Sequence, residues 1–121
     1  MRYTLLLYRE ESVVDTASAE DDREYLAAFG AYIGALKEAG VFIETDWLQP
    51  APTATVITLK DGERRVQDGP YADTREQLGG YFAIDVPDLD AALAWAEKCP
   101  AARYGLIEVR PSAMPPDRNG A

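Results

Sequence analysis

The most distinctive polar segment of this 121-residue chain is Asp68-Gly69-Pro70-Tyr71. A glycine lets the backbone approach a ligand closely, and an aspartate can bind a ligand or transfer a proton. The same residues suit a demanding turn without any ligand, because Asp, Gly and Pro each favour turn conformations. Two interpretations therefore stay open for this segment, a loop that lines a pocket and a structural turn.

A capping-box pattern follows, with Asp73 three residues before Glu76. This spacing predicts a short helical turn that ends at Gly79-Gly80. The free N–H groups at the start of such a turn could bind an anion.

Tyr81 and Asp85 are the next residues with useful chemistry. The stretch from Tyr81 to Val86 predicts a strand, in which Tyr81, Ala83 and Asp85 share one face while the aliphatic residues share the other. A partly desolvated Asp85 could act as a general base on that face. The alternatives are a solvated carboxylate or an ion pair with one of three arginines, namely Arg64, Arg65 or Arg110.

Several chemistries are disfavoured by composition, since the chain has no histidine and one cysteine, Cys99. Transition-metal sites, catalytic triads and disulfides each need residues that are missing, so no metal and no cofactor are expected. Cys99 follows a predicted helix C-terminus, where the helix dipole disfavours a thiolate, so we do not expect a nucleophile there. Trp47 and Trp95 could stack on an aromatic ligand but are predicted to serve packing, with Trp95 in the core or at its rim.

The elements that would position these residues follow from periodicity. Tyr3 to Tyr8 predicts a strand buried on both faces, and Ser18 with Asp21 predicts the start of a helix. Leu26, Phe29, Ile33 and Leu36 recur at helical spacing up to a stop at Gly40. Further strands are predicted at 41–48, 54–59, 64–67 and 104–110, with a tight hairpin at Asp61-Gly62 and a helix N-cap at Asp88.

This order predicts two split β-α-β units, that is, a ferredoxin-like α+β fold with one antiparallel sheet and two main helices on one face. The opposite sheet face would still carry apolar groups, so a second copy is expected to cover it in a homodimer.

Charge and hydropathy limit the partners. Twenty-one acidic and twelve basic residues give a net charge of -9, which disfavours direct nucleic-acid binding. No apolar run is long enough to cross a bilayer, so no membrane association and a cytoplasmic location are expected. One domain is predicted over 1–111, followed by a flexible C-terminal tail over 112–121.

The segment from Asp68 to Gly80, the sequence from Ile84 to Asp90, and the ending Glu108-Val109-Arg110-Pro111 together resemble the YCII-related proteins of the DGPF type. That resemblance implies a dimeric α+β barrel. Some members look linked to extracytoplasmic-function sigma factors, and a few relatives are lyase-like or dehalogenating enzymes. The histidine-aspartate pair proposed as catalytic in the broader group is not transferable, because this chain has no histidine.

Two functional hypotheses follow. The first is a binding or regulatory homodimer with a small organic ligand in the dimer cavity. The alternative is a cofactor-independent lyase, isomerase or dehalogenase in which Asp68 or Asp85 moves a proton and a tyrosine orients the substrate. Convergence of Asp85, Tyr81 and the Asp68 segment on one apolar pocket would favour the enzyme, whereas arginine-paired carboxylates and a filled cavity would favour a binding or structural role.

Overall fold

A computed structural model describes residues 1–10 and 19–114, and the side chains of residues 19–21 are not described. It contains two helices and six strands, with a short 3₁₀ turn at Ala51–Thr53 and another at Pro100–Arg103. In chain order the elements are β1 (Arg2–Glu10), α1 (Ala19–Glu38), β2 (Phe42–Trp47), β3 (Thr55–Lys60), β4 (Glu63–Asp68), β5 (Glu76–Asp85), α2 (Leu89–Lys98) and β6 (Gly105–Pro111).

The main sheet is antiparallel, with strand order β2-β5-β1-β6. With β1 and β5 in the middle and an α-helix in each crossover, this order is the ferredoxin-like arrangement that the sequence predicts. Strands β3 and β4 form a separate two-stranded hairpin inserted between β2 and β5.

The core lies between one face of the sheet and the helices. Leu5 and Phe82 are opposite each other on β1 and β5, and both are fully buried in one cluster with Phe29 of α1 and Ala92 of α2. The rings of Phe29 and Phe82 stack with centroids 6.1 Å apart. Burial of these side chains from both layers places the two helices on the same face of the sheet.

Helix α1 ends as predicted, at Gly40 with a φ of +74°. Phe29, Leu36 and Tyr32, which widens the apolar stripe, are buried as predicted, but Leu26 is exposed. The predicted N-cap Ser18 lies outside the described residues, and the side chain of its capping-box partner Asp21 is not described.

Two further local predictions are confirmed. The Asp88 carboxylate accepts a hydrogen bond from the Ala91 N–H at 2.9 Å and so caps α2. Asp61 and Gly62 join β3 to β4 with φ values of 52° and 77°, as a two-residue turn with two positive φ angles requires.

The predicted helical turn after Asp73 is wrong. Strand β5 begins at Glu76, which lies opposite Glu10 of β1, so the segment is extended and pairs with the central strand. A full ladder of interstrand hydrogen bonds outweighs one local capping pattern. Gly79 and Gly80 do not end a helix; they form a β-bulge at which the pairing shifts from Leu7 opposite Gly80 to Tyr8 opposite Leu78.

The predicted division into a domain over 1–111 and a tail over 112–121 stays a prediction, and residues 115–121 lie outside the described part of the chain. Within that part, no helix combines the length and the apolar character needed to cross a membrane.

Candidate functional site

The face of the main sheet turned away from the helices is the best candidate for a functional surface, and we call it the open face. Side chains paired across strands share a face, so the register defines its members. They include Arg2, Thr4, Leu6 and Tyr8 on β1, Leu78, Tyr81, Ala83 and Asp85 on β5, Glu44 and Asp46 on β2, and Leu106, Glu108 and Arg110 on β6. The predicted placement of Tyr81 and Asp85 away from the helices is therefore observed.

Glu44 reaches the open face because of a bulge in β2. Phe42 lies opposite Ile84 on the helix side, but the pairing then skips Ile43 and places Glu44 opposite Ala83. With regular alternation Glu44 would share the face of Phe42, so the extra residue redirects the carboxylate toward Tyr81.

Arg2, Glu44 and Tyr81 form a hydrogen-bonded group on the open face. Arg2 Nη2 donates to Glu44 Oε1 at 3.1 Å, and the Tyr81 hydroxyl donates to Glu44 Oε2 at 3.0 Å. The hydrogen bond to Glu44 raises the pKa of Tyr81; desolvation and the charges of Glu44 and Asp46 act in the same direction, and Arg2 opposes them. The phenol therefore stays protonated and the carboxylate stays paired.

Asp85 lies at one end of β5 and is also paired. Its Oδ1 accepts a hydrogen bond from the N-terminal ammonium of Met1 at 2.8 Å. The partner is not one of the predicted arginines. Arg64 and Arg65 belong to the hairpin strand β4, and Arg110 lies opposite Thr4 on β6. Asp85 therefore does form an ion pair, but the predicted arginine partner is wrong, because the partner is the N-terminal ammonium.

The Asp68-Gly69-Pro70-Tyr71 segment lies at the base of the hairpin. Asp68 ends β4 opposite Thr55, and the Gly69 N–H donates to the Ala54 carbonyl at 2.7 Å with a φ of +96°. Asp68 and Tyr71 are exposed, and Pro70 is half-buried. Because the following residues form no helix, the anion site predicted at a helix start has no N–H groups to supply it.

The Asp68 segment and Asp85 are not brought together within one protomer. The segment precedes Glu76, which pairs with the last residue of β1, whereas Asp85 pairs with Arg2 at its start. Eight residues of strand separate these two rows, which is roughly 25 Å. The two aspartates therefore do not converge on one site within the protomer.

Cys99 and Trp95 serve packing, whereas Trp47 packs on Phe29 but is 45% exposed. Cys99 is buried, and burial raises the pKa of its thiol to about 11, which agrees with its rejection as a nucleophile. Trp95 packs against the core, where its carbonyl accepts the Tyr32 hydroxyl at 2.7 Å. Trp47 makes an edge-on contact with Phe29, at 5.0 Å between ring centroids.

Arg2 and Glu44 are the members of this site that sequence reasoning missed. Arg2 precedes the predicted first strand, and Glu44 lies in a strand whose facing depends on the bulge. One signal was available: Glu44 and Asp46 are two residues apart in the predicted strand, so both side chains point to the same face, and two charged residues on one face are typical of a face away from the core.

These features define the class of protein: a ferredoxin-like α+β chain with a partly polar open sheet face. A family model described as the YCII-related domain matches residues 1–112. The chain therefore belongs to the YCII-related family, as its sequence resemblance indicates.

Two individual proteins illustrate the similarity. An uncharacterized protein of Rhizobium meliloti (strain 1021) is 37% identical over 116 residues, which cover 94% of this chain and 94% of that protein. The solved structure of a 5-chloro-2-hydroxyhydroquinone dehydrochlorinase from Burkholderia phenoliruptrix AC1100, in complex with 2,5-dihydroxybenzoquinone, matches with a TM-score of 0.53 over 95% of this chain and 96% of that one. At 14% identity this second similarity shows the fold alone.

Proposed function

We propose that the chain works as a homodimeric small-molecule binding protein, with its ligand held between the open faces of two copies. The observation that carries this proposal is the Arg2–Glu44–Tyr81 group, which places two donors and a carboxylate on a sheet surface that also carries Leu6 and Leu106. A small number of polar groups on an apolar lining is the usual composition of a ligand site.

The pairing of the carboxylates favours binding over proton transfer. Glu44 already accepts a guanidinium and a phenol, and Asp85 accepts the N-terminal ammonium. A carboxylate offers about four lone-pair sites, so both groups keep acceptor capacity while these contacts fix where each carboxylate points. Carboxylates held in this way are suited to orient a ligand.

The chemistry of the face favours an oxygen-bearing planar ligand. Arg2 can donate to a ligand oxygen through guanidinium N–H groups that Glu44 leaves unused, while Leu6, which lies opposite Tyr81, offers an apolar surface for a ring. The dehydrochlorinase with the similar fold holds 2,5-dihydroxybenzoquinone, a molecule of this class, which makes it a reasonable first probe.

The homodimer is proposed because the open face carries Leu106, which is 48% exposed in the single chain, beside the half-buried Leu6 and Tyr8. A second copy that covers this surface removes apolar area from water. Since the same patch would be used on both copies, the contact is symmetric.

Sedimentation equilibrium tests the dimer with two matched variants. Leu106→Lys places a charge on the open face, and Leu93→Lys places one on α2 at a leucine of nearly equal exposure, 47%. We expect Leu106→Lys to lower association and Leu93→Lys to leave it unchanged. A wild-type chain that is monomeric at all concentrations would contradict the proposal.

Binding of 2,5-dihydroxybenzoquinone, measured by calorimetry, tests the ligand site. Tyr81→Phe removes the hydroxyl on Glu44, whereas Tyr104→Phe removes a tyrosine hydroxyl that lies off the open face, beside Tyr25. We expect Tyr81→Phe to weaken binding at least about tenfold, the loss of one good polar contact, while Tyr104→Phe has no effect. Equal effects of the two variants would place the ligand elsewhere.

A cofactor-independent lyase, isomerase or dehalogenase is the second candidate, favoured by the contact between the Tyr81 phenol and a carboxylate, which forms an acid–base pair. Release of chloride from 5-chloro-2-hydroxyhydroquinone, compared between wild type, Tyr81→Phe and Asp85→Asn, tests it. Turnover lost in Tyr81→Phe would replace the binding function with the enzymatic one.

A further inference from the structure

The β3–β4 hairpin has two different faces. Register places Thr55, Ile57 and Leu59 on the same side as Asp68, Val66 and Arg64 of the opposite strand. We call this side the outer hairpin face. The reverse side carries Val56, Thr58 and Lys60 together with Gln67, Arg65 and Glu63.

The outer hairpin face is apolar and unusually exposed. Leu59 is 74%, Ile57 61% and Val66 55% exposed, whereas Val56 on the reverse side is half-buried. A two-stranded ribbon is marginally stable in water unless another layer covers it. Three neighbouring apolar side chains at this exposure therefore indicate a surface that another layer covers.

The charges on the outer hairpin face indicate what kind of surface covers it. Arg64 and Asp68 lie two residues before and after Val66 on the same strand, so the face is positive at one end, apolar in the middle and negative at the other. Over residues 1–10 and 19–114, neither side chain takes part in an ion pair. Arg65 on the reverse side, in contrast, has Glu63 at 3.7 Å.

We propose that the outer hairpin face binds the same face of a second copy of this chain. The twofold axis runs in the plane midway between the two facing hairpins. It is perpendicular to the strands and level with the Ile57–Val66 pair. Rotation about it brings Arg64 opposite the partner's Asp68 at both ends, and Val66 opposite the partner's Val66 in the middle. Two sheets packed face to face lie about 10 Å apart, which lets these side chains meet.

The charge pattern selects this axis over the alternative. A twofold axis parallel to the strands would place Arg64 opposite the partner's Leu59 and leave the charges of both hairpins without partners. Complementary charges at both ends fix register and orientation, while the apolar middle supplies the area removed from water. The contact is independent of the open-face homodimer.

Charge reversal tests the pairing, with self-association measured by sedimentation. Arg64→Asp alone brings carboxylates face to face at both ends of the interface, and Asp68→Arg alone does the same with guanidinium groups. We expect each single variant to weaken association at least about tenfold and the double variant Arg64→Asp/Asp68→Arg to restore it. Arg65→Asp, on the reverse side, is the matched control and should have no effect.

The outcomes separate this interface from the open face. Sensitivity to the Arg64 and Asp68 reversals, with rescue in the double variant, supports the hairpin interface even if Leu106→Lys has no effect. Association that responds only to Leu106→Lys overturns the hairpin interface and leaves the proposed function standing. A wild-type chain that is monomeric overturns both the hairpin interface and the open-face homodimer. The same holds if the chain associates only with an unrelated protein and not with itself.

Cross-linking provides a second measurement. Val66→Cys, treated with a short bis-maleimide, should give a covalent dimer because the two copies of this position face each other at the axis. Thr58→Cys lies on the reverse side and should not cross-link. The native Cys99 is buried and does not compete. Equal cross-linking of the two variants would overturn the proposed geometry.

Discussion

Glu44 accepts hydrogen bonds from Arg2 and Tyr81 only because one extra residue in β2 turns its side chain to the open face. At the scale of single residues the polar groups of this sheet are held by one another: Arg2 and Tyr81 by Glu44, Asp85 by the N-terminal ammonium. Pre-organised donors and acceptors of this kind cost a ligand little ordering entropy, which suits a binding surface.

Cys99 permits a direct prediction about reactivity. Because burial raises its thiol pKa to about 11, almost no thiolate forms at neutral or mildly alkaline pH. We expect the native protein not to react with an aromatic disulfide reagent, and the protein unfolded in denaturant to react fully. Rapid labelling of the native chain at neutral pH would show that Cys99 is accessible and that this description of the core is wrong.

At the scale of elements, two glycines occupy positions where a β-carbon would be unfavourable. The first is Gly69, at the base of the hairpin. Its φ of +96° is a conformation that residues with a β-carbon rarely adopt. We expect Gly69→Ala to lower the free energy of unfolding by roughly 1 kcal/mol or more, and Asp68→Asn to be the milder change. Matched chemical-denaturation curves measure both.

Gly34 in α1 is the control for that experiment, since it is exposed, helical and has open space where a β-carbon would lie. Gly34→Ala should raise stability by up to about 1 kcal/mol. If Gly69→Ala is harmless while Asp68→Asn abolishes ligand binding in a folded protein, the turn interpretation fails and Asp68 belongs to a binding site.

Gly80 is the second constrained glycine, because β2 passes close to the bulge of β5. A β-carbon at Gly80 would lie 2.7 Å from the Asp46 carbonyl oxygen and 3.4 Å from Trp47 Cδ1. We expect Gly80→Ala to destabilise the fold by about 2 kcal/mol through forced movement of backbone atoms. At the neighbouring Gly79 the nearest atom is 3.9 Å away, so Gly79→Ala should cost clearly less; equal losses would contradict this explanation.

At the scale of the whole molecule, two sheet faces that expose apolar side chains stand out on an acidic chain with a net charge of -9. The open face and the outer hairpin face belong to separate sheets. Like charge opposes association of identical chains, so any stable contact must rely on apolar area with locally opposite charges. The proposed hairpin contact combines these two properties.

Composition leads to one further prediction for the whole protein. Without histidine and with a single buried cysteine, the chain lacks the nitrogen and thiolate ligands that hold transition metals tightly. Elemental analysis of untagged protein should find no zinc, iron or copper near one ion per chain. A stoichiometric ion that survives dialysis against a chelator would require a ligand set of carboxylates that the described residues do not reveal.

Local signals in the sequence determined much of the fold. The Asp61-Gly62 turn, the Asp88 cap and the Gly40 helix stop each depend on a few adjacent residues, and each is found where the sequence places it. Alternation in β5 likewise placed Tyr81 and Asp85 on the open face, because side chains in a strand point alternately to its two sides.

Only the tertiary structure decided the rest. The segment from Asp73 to Gly79 has a local helix-capping pattern, but β1 offers it a partner strand, and that interaction is nonlocal. Glu44 joins the site through a bulge that depends on how β2 pairs with β5, and Asp85 meets Met1, 84 residues away in sequence. Strand pairing, bulges and contacts between distant residues are set by the whole assembled sheet, which no local pattern of residues encodes.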